Sequence, residues 1–274
     1  SDAYAGEFLA GNKPLAYLLQ TSEKTYASFT FTARNRGGHS SVPRLDNAIY
    51  DLAQALGRLA SFKFPPMINE TTRAELLNVA PRYPGAIEDA IKRFTADPSN
   101  TAAADLIETE ETLIGKTRTT CVATMLAGGH AENALPQTAV PTINCRIFPG
   151  MKRDGVLKAL NEIAGPGITV APVPGGTPDT EPSPLREDVL QAHEQAVHAR
   201  VPGMKVVPEM SSGATDGAYL RAAGIPTYGV DGLWRIKPDD YRDHGRDERV
   251  PIEAFYGNLD HWYIMLTRLA GAAK

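Results

Sequence analysis

Residues 25–56 read TYASFTFTARNRGGHSSVPRLDNAIYDLAQAL, and three patterns follow one another within them. Residues 25–34 alternate, with Phe29, Phe31 and Ala33 on one face and Thr30 and Thr32 on the other, which predicts a half-buried strand. Gly37 and Gly38 permit a tight turn and Pro43 ends any ladder, so residues 36–43 form an exposed loop that carries His39. Asp46 or Asn47 then caps a helix whose apolar positions Ile49, Leu52, Ala53, Leu56 and Leu59 follow helical spacing. A loop histidine is a candidate for binding or catalysis because its unperturbed pKa lies near neutrality, although an ordinary polar loop residue fits the octapeptide as well. Activation of Ser40 or Ser41 by His39 is disfavoured: neighbouring side chains on a turn point apart, and no third orienting group is evident.

Downstream, residues 62–116 change to short helical segments broken by Pro65, Pro66, Pro81, Pro84 and Pro98, and read as a helical insertion. Its Glu108, Glu110 and Glu111 are read as a solvated helix face rather than metal ligands. Residues 118–125 and 139–148 predict two strands around AGGHAENALPQ. Residues 152–163 predict a helix through Val156, Leu157, Leu160 and Ile163, and residues 168–173 a last strand. The order β-α-(insertion)-β-β-α-β is that of the ferredoxin-like split βαβ arrangement, a sheet with helices on one face. Pro174, Pro178, Pro182 and Pro184 mark the clearest boundary in the chain. Beyond it a helix over 188–199, strands at 205–208 and 227–230, the loop and helix of SSGATDGAYLRAAGIP, and a closing helix over 252–269 argue for an α/β layer. Upstream, residues 1–19 read as irregular up to the apolar run 15–19, and polar residues 21–24 follow. So few strands make a poor sheet, and the expectation is that residues upstream of Ser1 complete it.

Composition narrows the classes. The chain has 274 residues and a net charge of −4, with both signs interspersed. That offers no basic field for nucleic acid, and no apolar run approaches the ~20 residues that span a bilayer. Cys121 and Cys145 lie inside apolar strand-like runs, which predicts buried free thiols. The chain starts at Ser1 without a methionine or a signal-peptide pattern, so it looks like part of a longer polypeptide, and compartment stays open.

Four further stretches carry chemistry. His244, in WRIKPDDYRDHGRDERV, is flanked by Asp243, Asp247 and Glu248. An imidazole with a carboxylate behind it is the usual surrounding of a zinc ligand, and also of a histidine in a surface ion-pair loop. Residues 211–216 form a small-residue loop whose backbone N–H groups suit an anionic substrate group. Arg146 beside an apolar strand is either a bidentate carboxylate clamp or a strand-edge salt bridge. Asn133, in HAENALP, is a polar residue in a comparable position.

In order, GGHSS, NALP thirteen residues before an arginine on a strand, SSGATDGAYL followed by GIP, and DHGRDERV before a final helix resemble the di-zinc exopeptidase and deacylase family. Its members include glutamate carboxypeptidase, vacuolar-type carboxypeptidase, acetylornithine deacetylase, succinyl-diaminopimelate desuccinylase and aminoacylase. The resemblance covers nearly the whole chain except residues 62–116. It implies an α/β protein with a ferredoxin-like lid, or dimerisation, domain at 25–173. Residues 1–24 would end a first catalytic segment, and residues 182–274 would form the carboxyl-terminal half of the metal-binding domain.

Residue by residue, the resemblance makes His39 a donor to the developing oxyanion in a partner subunit's site, and Asn133 and Arg146 substrate-binding. Ser212, Gly213, Ala214 and Thr215 would contact substrate, and His244 and Asp2 would ligate metal. Two zinc ions per complete site are implied, with a peptide or N-acyl amino acid as substrate and a homodimer formed through the lid. The family's amino-terminal His-x-Asp, Glu-Glu pair and bridging aspartate have no counterpart before His39, so this chain alone is expected not to assemble the two-metal site. TSEK before the first lid strand and DNAIYDLAQAL lean toward carboxypeptidase-like members. A deacylase, or a dimerisation module without catalysis, is the alternative.

Overall fold

The computed structural model describes residues 6–271 apart from Pro238, Tyr241, Asp243 and His244. In chain order the elements are β1 (Gly6–Leu9), β2 (Lys13–Glu23), β3 (Thr25–Arg34), β4 (Gly38–His39), α1 (Ala48–Ser61), α2 (Glu70–Val79), α3 (Ala86–Ala96), α4 (Thr101–Ile107), β5 (Thr120–Gly128), β6 (Ala134–Leu135) and β7 (Thr138–Ile147). They continue with α5 (Arg153–Ala164), β8 (Ile168–Pro172), α6 (Glu187–His198), β9 (Val206–Ser211), α7 (Gly217–Ala222), β10 (Trp234–Lys237) and α8 (Ile252–Ala270).

The first sheet has the order β5-β7-β3-β8 with every pair antiparallel, which is the ferredoxin-like arrangement. The alternation of β3 works as expected: Phe29, Phe31 and Ala33 point into a core with Ile143, Ile147, Leu52, Leu59, Val156 and Leu160. Each of the larger of these side chains, fully buried, contributes about 1.5–3 kcal/mol. Asn47, rather than Asp46, caps α1, its side chain accepting from Ile49 N–H at 2.8 Å. The buried stripe of α1 is Ala48, Leu52, Ala55 and Leu59, so Ile49 and Ala53 are surface positions beside the edge strand β5.

Cys121 and Cys145 form a disulfide, not free thiols. They are direct partners in the β5/β7 register with Cα atoms 4.1 Å apart. Strand periodicity says which face each occupies but not which residue lies opposite, so the pairing was invisible in one dimension. Closing a separation of 24 residues contributes on the order of 3 kcal/mol.

The insertion is a small packed body with its own core of Leu76, Ile91, Phe94 and Ile107. Glu108 does not lie on a solvated face: it accepts from Thr117 Oγ1 at 2.7 Å and pairs with Arg118. Lys116 bridges Glu75 of α2 (2.6 Å) and Glu209 of β9 (2.9 Å), anchoring the insertion to the second sheet.

That second sheet has the order β10-β1-β2-β9. Two of its strands, β1 and β2, come from the stretch that reads as irregular. β2 runs on through the polar residues 20–23, all of them buried. Of the two strands expected after the proline-rich boundary, β9 is present; around 227–230 only a bridge between Gln20 and Gly229 forms, and β10 follows at Trp234. Glu23 ends β2 and Thr25 begins β3, so Lys24 is the single residue between these two strands of different sheets. Among the described residues, no helix is long and apolar enough to cross a membrane.

Helices α6 and α8 are tied together by two buried histidines. Arg200 donates to His261 Nδ1 (2.9 Å), and His261 Nε2 lies 3.0 Å from His193 Nδ1. The guanidinium has no acceptor capacity, so His261 carries its proton on Nε2 and donates it to His193. Burial pushes His193 down to about 4 and His261 to about 3. An unfolded histidine titrates near 6.5, so the unfolded chain binds the extra protons and stability falls as pH drops below about 6.5. Each histidine contributes up to ~1.4 kcal/mol per pH unit. Glu75, which burial raises to about 7, opposes them with a single proton of the opposite sign. Urea unfolding near pH 5 is therefore expected to show stability rising with pH, and the rise should vanish in His193→Leu/His261→Phe. An undiminished slope in that variant would refute the assignment.

Candidate functional site

The structure sorts the candidate residues into two groups at opposite ends of the lid sheet. Arg146 lies opposite Tyr26 at the start of β3, whereas the His39 loop follows Arg34 at its end. Eight residues of strand at about 3.3 Å each put these poles roughly 25 Å apart.

At the far pole β4 pairs with β6, matching His39 with Ala134, and Ser40 N–H donates to Asn133 O at 2.9 Å. His39 and Asn133 are thus neighbours, both exposed. Arg44 shapes this loop, donating to Gly37 O (2.6 Å) and Asn35 Oδ1 (2.5 Å) and pairing with Asp46 (2.8 Å). Its hydrogen bond, joined by one from Asn35, holds the Asp46 carboxyl well below the usual carboxylate range. Gly37 has φ +73°, and a Cβ there would lie 2.7 Å from Gln137 Cγ, so the turn requires glycine. Ser41 N–H donates to His39 Nδ1 at 3.1 Å, with Ser41 Oγ 2.8 Å from the same atom. Ser41 and His39 therefore do not point apart. A backbone N–H can only donate, so Nδ1 is the acceptor and the neutral ring carries its proton on Nε2. That leaves Nε2–H as an outward donor. No orienting group for Nε2 is present among the described residues, as a serine nucleophile's base would need.

At the near pole the polar run 20–25 is buried. Glu23, 1 % exposed, accepts from Thr215 N–H at 2.7 Å and from Gln20 at 3.1 Å, and faces Arg221 at 2.6 Å. Gly213 N–H is bonded to Ser211 Oγ at 2.9 Å. Two N–H groups of the loop expected to receive an anion are thus committed within the chain, while Ser212, Gly213 and Ala214 remain exposed. Lys24, also 1 % exposed, donates to Arg118 O at 2.8 Å. Burial pushes it down to about 7, with the neighbouring cations Lys116 and Arg146 acting in the same direction. Arg146 itself has its guanidinium over the Tyr26 ring, 4.7 Å from the centroid. Among the described residues it forms no salt bridge, contrary to the strand-edge alternative.

His244 and Asp2, the expected metal ligands, lie outside the described residues. Among the described residues, no group of three or more His, Cys, Asp or Glu side chains is placed to hold a metal ion, so the described donor set does not fit a metal by itself. Sequence reading missed Glu23, Lys24, Tyr26, Arg44 and Arg221. The one available signal was a run of polar residues, TSEK, directly before a strand.

Comparison with known proteins supplies the relatives. The M20 family described as a peptidase dimerisation domain matches residues 21–167. The human N-fatty-acyl-amino acid synthase/hydrolase PM20D1 is 26% identical over 89% of this chain and 49% of its own. A probable carboxypeptidase S-like 2 from Dictyostelium discoideum is 24% identical over 93% of this chain and 49% of its own. Among solved structures, the di-peptidase Dug1p from Saccharomyces cerevisiae has a TM-score of 0.59 at 13% identity, covering 100% of this chain and 60% of that one, a likeness of fold alone. The chain spans about half the length of the curated relatives it matches.

Proposed function

Because the chain belongs to the M20 peptidase dimerisation-domain family, we propose that it serves a zinc-dependent hydrolase cleaving an amide bond beside a free carboxylate, in the manner of a carboxypeptidase or dipeptidase. In this reading residues 25–173 are the lid and residues 182–274 the carboxyl-terminal half of the catalytic domain. Residues 1–24 end that domain's first segment. The observation that carries it is the pair of poles: at one end an arginine fork without a carboxylate partner among the described residues, and at the other an exposed histidine whose Nδ1 is occupied by Ser41, leaving Nε2–H as the donor.

Neither pole suffices alone, and a homodimer unites them. β5 is the edge of the lid sheet, and Val122, Met125 and Leu126 on it are more than half exposed. An exposed apolar edge is a template for a second strand. A strand pairing with its own copy about a two-fold axis runs antiparallel, so the Gly128 end of one β5 meets the Thr120 end of the other. Thr120 is in register with Arg146, and Gly128 leads into the Asn133 loop. The joint sheet then has the His39 pole of one copy at the same end as the Arg146 pole of its partner.

In that composite site Arg146 receives the substrate carboxylate bidentately. His39 of one copy donates Nε2–H to the oxygen that gains charge as the amide carbonyl is attacked, with Asn133 beside it. Ser212, Gly213, Ala214 and Thr215 border the near pole. His244 and Asp2 would hold part of the metal pair, and the chemistry such a pair would supply is activation of water and polarisation of the carbonyl.

Mixing subunits tests this. In the complete enzyme, His39→Ala and Arg146→Ala should each be nearly inactive with metal content unchanged. Re-associated as an equal mixture, they should recover about a quarter of wild-type activity, since half the dimers are mixed and each mixed dimer has one intact site. No recovery would refute a shared site. A deacylase is the second reading, favoured by the printed name of the human relative. Release of only fatty acid, acetate or succinate from a panel containing peptides would select it. Absence of any hydrolysis would leave a dimerisation module.

A further inference from the structure

The guanidinium of Arg146 has a ring beneath it and, among the described residues, no acceptor at its edge. A carboxylate partner would lie in the plane of the guanidinium and occupy the N–H fork. An aromatic ring engages only the flat face, attracting the charge through its quadrupole while leaving the N–H edges for a ligand. The ring therefore does what an acidic partner could not: it fixes the orientation of the fork without filling it. A cation also stands on this side: Lys24, buried against Arg118 O, is near enough for its charge and that of Arg146 to repel each other. The ring beneath the guanidinium offsets that repulsion.

Tyr26 is itself held from several sides. It sits directly opposite Arg146 in the β3/β7 register. Its backbone N–H donates to Thr177 Oγ1 at 2.9 Å, and its carbonyl accepts from Thr177 N–H at 3.1 Å. The linker after β8 thereby continues the ladder alongside it. Gly176 makes that approach possible: it has φ +86°, and a Cβ there would lie only 2.3 Å from the Tyr26 carbonyl oxygen.

We propose that Tyr26 is the positioning residue of the substrate-carboxylate clamp, holding the Arg146 fork open and correctly turned for a bidentate carboxylate. This rests on the reading of Arg146 as that clamp and deepens it. The hydroxyl has no part in the stack, so the ring alone carries the effect and phenylalanine should replace it.

The test uses the full chain and two probes, N-acetyl-L-leucine and its amide-capped analogue, with binding followed by titration. Wild type should prefer the carboxylate probe. Tyr26→Leu should weaken that probe about tenfold, leave the amide-capped probe unchanged, and keep the melting temperature near wild type. Tyr26→Phe should bind within about twofold of wild type. The Arg146 Nε–H resonance should show a ring-current shift in wild type and Tyr26→Phe that is lost in Tyr26→Leu. In an active complete enzyme the Tyr26→Leu effect should fall on KM more than on kcat. If Arg146→Ala abolishes the carboxylate preference while Tyr26→Leu retains it, the role of Tyr26 is overturned and the clamp stands. If wild type shows no preference, or Arg146→Ala keeps it, the clamp reading fails and the Tyr26 proposal with it.

Discussion

Replacing Arg221 with methionine is expected to destabilise the chain by about 3–5 kcal/mol, because it leaves a carboxylate buried without its counter-ion. Glu23 and Arg221 side chains are 1 % and 2 % exposed and 2.6 Å apart, deep under the loop that follows β9. Methionine keeps the apolar volume of the arginine stem, so the loss comes from charge rather than from a cavity. The Glu23 carboxylate also receives Thr215 N–H, and residues 212–215 should lose hydrogen-exchange protection together with global stability. The double variant Glu23→Gln/Arg221→Met should recover most of the loss, since removing both charges of a buried pair is far cheaper than removing one. Urea unfolding of the wild type and the two variants measures this. A single variant within ~1 kcal/mol of wild type, or a double variant no better than the single, would show that the pair does not anchor this loop.

Leu126→Lys carries the second large effect, on assembly rather than folding. Leu126 is 67 % exposed on the edge strand β5, so the change should leave monomer stability within ~0.5 kcal/mol. In a two-fold dimer every substitution occurs twice across the interface. Two ammonium groups brought to one edge should weaken association by about a hundredfold or more, and lysine is a residue with which natural edge strands avoid pairing. Sedimentation of the wild type and variant at matched concentrations gives the dissociation constants. In the complete enzyme, activity should fall in parallel with the fraction of dimer, because each site would lose the histidine donated by the other copy. An unchanged dimer constant would place the interface elsewhere and remove the geometric reason for a shared site.

The two poles differ in how far they can be read from one dimension. His39 is legible because its neighbours are unusual: Gly37 and Gly38 before it and Ser-Ser-x-Pro after it leave few conformations for the backbone. Its tautomer is not legible, since that depends on Ser41 N–H turning back to Nδ1. Arg44 shapes the same loop, yet an arginine five residues past His39 looks like any surface arginine. At the near pole Arg146 stands out as a cation beside an apolar strand, and sequence leaves both the clamp and the salt bridge open. Only the packing shows a ring below it and, among the described residues, no carboxylate paired with it. Glu23 and Lys24 do not stand out for a related reason, because polar residues at the end of an apolar run normally mark a turn. Here they are buried, and each finds its partner far away in sequence, at Arg221 and at Arg118.

What the sequence determines by itself is local and periodic: the two-residue alternation of β3 and β7, the helical spacing of α1 and α5, the glycine turn before His39, and the order of elements that makes the lid ferredoxin-like. These depend on contacts between near neighbours, and a side-chain period survives in a string. The tertiary structure decides register and partnership. It sets Cys121 opposite Cys145, draws residues 6–23 into the second sheet as β1 and β2, and puts Tyr26 under Arg146. The reason is that a strand's period fixes only its two faces, whereas the residue lying across from it depends on the packing of the whole core.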